Sequence, residues 1–256
     1  MIVRNRVLAS LNPSSFRRLA PHLAPVALER RAVLQDHFHR IEHVYFIERG
    51  VASLYARTRA DGPVEVAMVG PFGFVGAAAI LGNTRSPHRC LMHVPGAALR
   101  IGVTELLDAM DASPTIRHHL LAYVHALLVQ NAQVALCNGR HDVEQRLCRW
   151  LLLAADRLDG TVIPITHDML SMNLGVRRAG VTSLLGLLQK SGVLAMGRAS
   201  CEIVDRAALE ERACECYAII SAEFRHLNER GCHEHVLDDG APPWRDPLVV
   251  CSGAGR

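Results

Sequence analysis

Apolar positions fall into three successive regimes along the chain. Residues 5–11 place them at helical spacing. Asn12-Pro13-Ser14-Ser15 interrupts, and Ser14 or Ser15 is positioned to cap a second short helix through Phe16, Leu19 and Leu23. From about residue 32 the period shortens to two. Val44, Phe46 and Glu48 alternate with Tyr45, Ile47 and Arg49 until Gly50, and Val51 to Arg57 forms a second strand. Ala60-Asp61-Gly62-Pro63 is a turn before Val64, Val66 and Met68, and Gly70-Pro71-Phe72-Gly73 punctuates again. Arg89 to Val94 and Ala97 to Ile101 predict two further strands around Pro95-Gly96. Many short strands at close spacing predict an antiparallel barrel, a jelly-roll-like β-roll with flanking helices, in an α+β chain.

After Val103 the pattern is helical to about residue 158, and 115–137 is its longest stretch. Leu120, Val124, Leu127, Asn131 and Val134 are spaced 4, 3, 4, 3, a heptad seam with one polar member. Such a seam suits a parallel dimer, or packing against the β-domain. Asn138-Gly139 is expected to break this helix and mark a boundary near residue 139; a new helix begins near His141-Asp142 and runs through Val143, Leu147, Trp150, Leu151 and Ala154. The expected divisions are a β-domain over 1–112, a long seam helix over 113–138, a second unit over 139–205, a C-terminal helix over 206–228 and a disordered tail over 229–256.

The most specific stretch is 165–194. Thr166 is an N-cap with Asp168 at the positive end of the helix dipole, and Met169, Leu170 and Leu174 form a buried face. Gly175 supplies a left-handed turn, Val176 plugs it, and a second helix from about Arg177 to Lys190 turns Val181, Leu184, Leu185 and Leu188 inward, closed by Gly192. Two helices, a glycine turn and locking apolar residues are helix-turn-helix grammar. The second helix of such a pair enters the DNA major groove by its N-terminal end, where Arg177 and Arg178 stand. Arginine makes bidentate contacts to guanine or clamps phosphate, and Thr182 or Ser183 adds a hydrogen bond. Between Ser171 and Ser200 there are four basic residues, Arg177, Arg178, Lys190 and Arg198, and no acidic one. A segment that meets phosphates has this balance. Residues 193–196 and 200–204 pair as a hairpin, a wing with Arg198 at its tip.

Composition adds limits. Fifty per cent of the 256 residues are hydrophobic and 21% are charged, enough for a sizeable core. No run of 18 uncharged apolar residues occurs, so no membrane partner is expected. The N-terminus carries no secretory pattern, and a cytoplasmic location is expected. The net charge of +3 names no partner, and Lys190 is the only lysine. Eight cysteines in a cytosolic chain of this size are expected to be mostly free thiols.

A strand domain, a long seam helix and a winged helix-turn-helix, in that order over residues 4–205, resemble the Crp–Fnr family of bacterial transcription regulators. Residues 141–152 resemble the family's first helix after the hinge, and Gly175-Val176-Arg177-Arg178 through Val181-Thr182 its recognition segment. The resemblance implies a cyclic-nucleotide-binding-like β-roll that senses a signal, a homodimer on a palindromic double-stranded operator, and RNA polymerase as a partner. Recognition helices of such a dimer meet successive major grooves about 34 Å apart. The base-contacting role passes first to Arg178, then to Arg177, Thr182 and Ser183. Where the family often has Glu after the arginine, this chain has Ala179, which implies a different operator.

The family's nucleotide cassette pairs Gly-Glu with Arg-Ser or Arg-Ala. Here Gly76 matches but Ala77 replaces the carboxylate, and Arg89-Cys90 stands in the second part. Arg89 can pair with a phosphate, whereas Cys90 is a weak donor. A cyclic nucleotide is therefore disfavoured; another ligand in the same cavity, or a constitutive regulator, is expected. Asn131 is the seam residue placed to link such a ligand to the helix. An iron–sulfur cluster is not expected, because the family's cluster mode uses N-terminal cysteines and the first here is Cys90. Cys214 and Cys216, if both helical, point about 200° apart and would not share a metal. His37, His39 and His43 lack neighbouring Cys or carboxylate at metal spacing, so no metal is expected there. No phosphate loop, nucleophile elbow or zincin run occurs, and no enzyme is expected. The alternative to a DNA-binding regulator is a cyclic-nucleotide-type module that controls a partner protein without touching DNA.

Overall fold

The computed structural model describes residues 3–59, 62–158 and 160–229. The tail expected from residue 229 lies, apart from Glu229, outside them, as do Cys232, Cys251 and the Ala60-Asp61 half of the expected turn. Two short helices open the chain: α1 (Arg6–Ala9), capped by Asn5, and α2 (Pro13–Leu19). The cap of α2 is Asn12, not a serine: its side chain accepts from the Ser15 amide, and Pro13 takes the first helical position, where no amide is required.

A six-stranded antiparallel sheet follows, built on strands β1 (Ala24–Leu28), β2 (Val33–Gln35), β3 (His43–Ala56), β4 (Val64–Val69), β5 (Phe74–Val75) and β6 (Arg89–Gly102). Its order is β1-β6-β3-β4, with β2 on β6 and β5 on β3. The sequence reading divided β3 at Gly50 and β6 at Pro95-Gly96; each is one continuous 14-residue strand. The glycines bend the ladder instead of ending it. Gly50 has φ +86°, and a Cβ on Gly96 would lie 2.0 Å from the Arg49 carbonyl oxygen, so two backbones pass closer there than any side chain allows. Register shifts between Ile47 and Ala52 mark the bulge that curls the sheet into a roll.

Helix α3 (Ala77–Ile80) is a single turn, and α4 (Val103–Ala112) leads to α5 (Pro114–Arg140). Asn138-Gly139 does not break α5, which ends at His141. By length and composition α5 would pass for a membrane span, but it packs over β4, α1, α3 and α4, and half its circumference is core. Its expected seam faces inward over the first half: Leu120, Val124 and Leu127 are buried against the β-roll. The exposed stripe lies one residue further round, at Leu121, His125, Leu128, Ala132 and Ala135, with Leu136 beside it.

The remainder is α6 (Val143–Leu158), β7 (Val162–Ile163), α7 (His167–Leu174), α8 (Arg178–Lys190), β8 (Leu194–Gly197), β9 (Ser200–Ile203), α9 (Arg206–Arg212) and α10 (Cys216–Glu229). Strands β7, β9 and β8 form a second antiparallel sheet, the expected wing with one extra strand. One apolar core runs without a break from Val7 through the roll, α5 and α6 to Leu185 and Leu227.

A buried polar network crosses that core. Glu65 on β4 accepts from Ser53 Oγ at 2.5 Å and from Trp150 Nε1 of α6 at 2.7 Å. Arg157, also on α6, donates to Gln130 of α5 at 2.6 Å and to the carbonyls of Met68 and Leu153, with its guanidinium 5.2 Å from the Phe224 ring centroid. Tyr55 donates to Asn173 of α7 at 2.9 Å. Burial pushes the Glu65 carboxyl up to about 7, against the lowering effect of its two donors. The unfolded chain ionises this group from about 4.5, while the folded protein holds its proton until about 7. The folded state therefore binds more protons across that window, and stability falls as pH rises through it, by roughly 3 kcal/mol at most. Glu65→Gln removes the charge, keeps an amide oxygen to accept from Trp150 Nε1 and turns an N–H to donate to Ser53 Oγ, as a protonated carboxyl would. We expect its unfolding free energy, measured in urea from pH 4.5 to 8, to flatten and to exceed that of the unsubstituted protein at pH 8; parallel curves would contradict this assignment.

Candidate nucleic-acid interface

The local chemistry of 166–192 follows from its residue types. Thr166 caps α7, its hydroxyl accepting from the Met169 amide at 3.3 Å. Gly175 ends that helix at φ +64°, with its amide on the Met172 carbonyl. Leu170 and Leu174 of α7 meet Val181, Leu185 and Leu188 of α8 in the core, which fixes the crossing of the two helices. The pair is tied to the rest of the chain by the Tyr55–Asn173 bond, by an Arg146 guanidinium that donates to the Leu174 carbonyl, and by Val64, whose methyl lies 3.1 Å from a Cβ placed on Gly175.

This anchoring turns the outer face of α8 to solvent. Arg177 is its N-cap and Arg178 its first residue, so both guanidiniums extend from the positive end of the helix dipole. Arg177, Arg178, Thr182, Ser183, Lys190 and Arg198 are all exposed. Arg178 is not without a partner: its Nε lies 3.1 Å from Asp168 Oδ1, both side chains about two-thirds exposed. The acid-free stretch 171–200 is thus closed in space by an acid one turn upstream. Thr182 Oγ1 lies 3.0 Å from His167 Nδ1, and Ser183 Oγ donates to the Ala179 carbonyl at 3.1 Å. An exposed ion pair is worth about 0–1 kcal/mol, whereas a bidentate arginine–guanine contact discriminates by about 1–3 kcal/mol. A guanine can therefore take Arg178 from Asp168. Arg198 sits at the wing tip, in the turn Gly197–Ser200, where Ala199 has φ +57°.

The expected sensor residues are distributed differently. Gly76 precedes α3 with φ +108°. Arg89 is partly exposed, with its Nε 3.2 Å from Asp36 Oδ1. Cys90, its neighbour on β6, points into the sealed inner face of the roll beside Leu34, Ala52 and Met92, and burial pushes its thiol up. Asn131 is half-buried; the residue of α5 that bonds to both β4 and α6 is the preceding one, Gln130. A depression of about 260 Å³ on the roll is lined by Asp36, His39, Ile41, His43 and Tyr45 and touches none of the four. His37 and His39 bond to the carbonyls of Pro87 and His37.

Sequence reasoning did not reach the Glu65–Trp150–Arg157 network, whose members are separated by up to 92 positions and carry no local motif. It also did not reach a cluster of Cys137, His141, Cys214 and Cys216, whose donor atoms lie within 4.8 Å of one another. Cys137 and His141, at i and i+4 on the end of α5, were the available signal.

Comparison with known proteins agrees with this geometry. The Crp-like helix-turn-helix domain model matches residues 145–212. The global nitrogen regulator of Synechocystis sp. is 22% identical over 223 residues, 82% of this chain and 97% of that one. FixK2 from Bradyrhizobium japonicum shares the fold with a TM-score of 0.64 at 15% identity, over 75% of this chain and 98% of that one. The c-di-GMP responsive global regulator CLP of Xanthomonas campestris does so with 0.63 at 16%, over 76% and 100%. A transcriptional regulator of the CRP/FNR family from Thermus thermophilus does so with 0.60 at 19%, over 74% and 98%. Residues 145–212 of this chain thus match a Crp-like helix-turn-helix domain, and the chain as a whole has the fold seen in solved Crp/Fnr transcription regulators.

Proposed function

We propose that the protein acts in the cytoplasm as a homodimeric, sequence-specific DNA-binding regulator whose β-roll positions two recognition helices. The single observation that carries this reading is the solvent-facing N-terminal end of α8, with Arg177 and Arg178 side by side on a helix held by its apolar face. Arg178 exchanges Asp168 for a base edge, Arg177 and Arg198 take phosphates, and Thr182 and Ser183 supply hydroxyls next to them. On the roll, Arg89 is the group able to take an anionic effector, in exchange for Asp36.

Dimerisation is assigned to the exposed stripe of α5. Leu121 is 39% exposed, Leu128 60% and Leu136 47%, on a helix whose other face is already covered. Leu121, His125, Leu128, Ala132 and Ala135 repeat at 4, 3, 4, 3, the spacing that a second copy of the same helix matches. This stripe, and not the expected one through Leu120 and Asn131, is the seam of the proposed dimer.

Three variants test the reading. Arg178→Ala is expected to weaken binding to a selected operator by about 5- to 150-fold, equivalent to about 1–3 kcal/mol, in gel-shift titration. Arg198→Ala is expected to weaken all duplexes alike and to lower the slope of log K against log salt by about one. A module that regulates a partner protein without DNA would be indifferent to both. Leu128→Glu is expected to sediment as a monomer with an unchanged far-ultraviolet circular dichroism spectrum; a dimer of unchanged affinity would remove α5 as the interface.

A further inference from the structure

Three thiols and an imidazole from two separate segments, 137–141 and 214–216, meet where α5 ends. Cys137 lies in the last turn of α5, and His141 is its C-cap, with its amide on the Cys137 carbonyl at 3.1 Å. Cys214 lies in the link between α9 and α10, and Cys216 is the first residue of α10. The divergence of two cysteines two apart on a helix does not arise, because Cys214 lies before the helix begins. All three thiols are buried and form a small core cluster of their own, apart from the two aliphatic ones.

The spacing of the donor atoms is that of a coordination shell. Cys137 Sγ and Cys214 Sγ are 3.5 Å apart, and Cys216 Sγ is 3.6 Å from His141 Nδ1. A tetrahedron with metal–sulfur bonds near 2.3 Å and a metal–nitrogen bond near 2.0 Å has edges of about 3.5–3.8 Å. The surroundings fit as well. His141 Nε2, the nitrogen turned away from the thiols, lies 3.5 Å from Glu215 Oε1. A carboxylate on the outer nitrogen fixes the tautomer that leaves the inner nitrogen as a ligand. Arg149, only 4% exposed, places its guanidinium beside Cys137. Three thiolates, a neutral imidazole and a divalent cation leave one negative charge, which that guanidinium offsets.

We propose that Cys137, His141, Cys214 and Cys216 form a tetrahedral site for a thiolate-preferring divalent cation of the zinc type. The site joins the end of the long helix to the start of α10 at the point where the chain turns into α6. Four protein ligands fill the tetrahedron, so the site is structural in type and leaves no open position for a substrate. Binding converts the thiols to thiolates, and their protons go to solvent.

The test uses the full chain, reduced, stripped with a chelator and titrated anaerobically with Co(II). The expected result is saturation at a single equivalent per chain, with the visible d–d bands of a tetrahedral thiolate site and thiolate-to-cobalt charge transfer, both abolished by added Zn(II). The Cys214→Ser/Cys216→Ser variant is expected to lose the bands. Cys148→Ser/Cys201→Ser and Cys232→Ser/Cys251→Ser are expected to keep them. Should the serine variant at the site not fold, His141→Cys decides: it is expected to retain binding with stronger charge transfer, as a four-thiolate site. The proposal is overturned if the unsubstituted chain shows no tetrahedral cobalt spectrum, or if loss of Cys232 and Cys251 abolishes it.

Discussion

The hydrogen bond from Trp150 to Glu65 is the contact on which the arrangement of the molecule turns. It joins β4 of the roll to the middle of α6, inside a core that water does not reach. A carboxyl group in that position is costly unless its oxygens are occupied, and both are. Removing one partner of a buried hydrogen bond and leaving the other unsatisfied costs about 1–3 kcal/mol. An exposed ion pair is worth about 0–1 kcal/mol. The winged helix is therefore held against the roll by specific hydrogen bonds as well as by apolar area.

Arg157 serves the same junction by different means. It has no carboxylate partner among the described residues; its protons go to two carbonyls and the Gln130 amide oxygen, and its face to Phe224. Desolvation lowers it to about 10, still far enough above neutrality to keep it charged. The chain makes room for it: a Cβ on Gly70 would fall 2.8 Å from the Arg157 side chain, and one on Gly73 would enter the Tyr123 ring. Gly70-Pro71-Phe72-Gly73 is thus both a turn and the place where α5 and α6 come closest to the roll.

What the sequence disclosed follows from the range of the interactions concerned. The Thr166 cap, the Gly175 turn, the inward face of α8 and the wing depend on residues no more than nine positions from their partners, and each was legible. The strands of the roll were legible in kind but not in extent. Gly50 and Gly96 carry the same signal whether a strand stops or bends, and only their mutual approach distinguishes the two. On α5 two heptad stripes overlap, through Leu120 and through Leu121, because the helix is apolar on nearly all sides. Periodicity cannot choose between them; the β-roll chooses, by covering the first. The phosphate-facing arginines were found by type and position, but the Asp168 contact was hidden behind a helix turn.

Helix α6 is the member through which these restraints combine. Its 16 residues span about 24 Å. The Cys137–His141 corner lies just before its first turn, Trp150 is held at its centre and Arg157 in its last turn. Arg146 on the same helix grips the C-terminal carbonyl of α7, from which α8 continues after three residues. A helix held at both ends and the middle does not bend freely, so reorientation of α8 relative to the roll must release at least one of these points. The central one is the most exposed to regulation by chemistry. It contains a carboxyl whose burial raises it to about 7, whereas Arg157 keeps its charge over the physiological range. Deprotonation of Glu65 adds a negative charge in the core at the seam between roll and winged helix. The residue that ties α6 to the roll is in this way the one at which that tie is easiest to disturb.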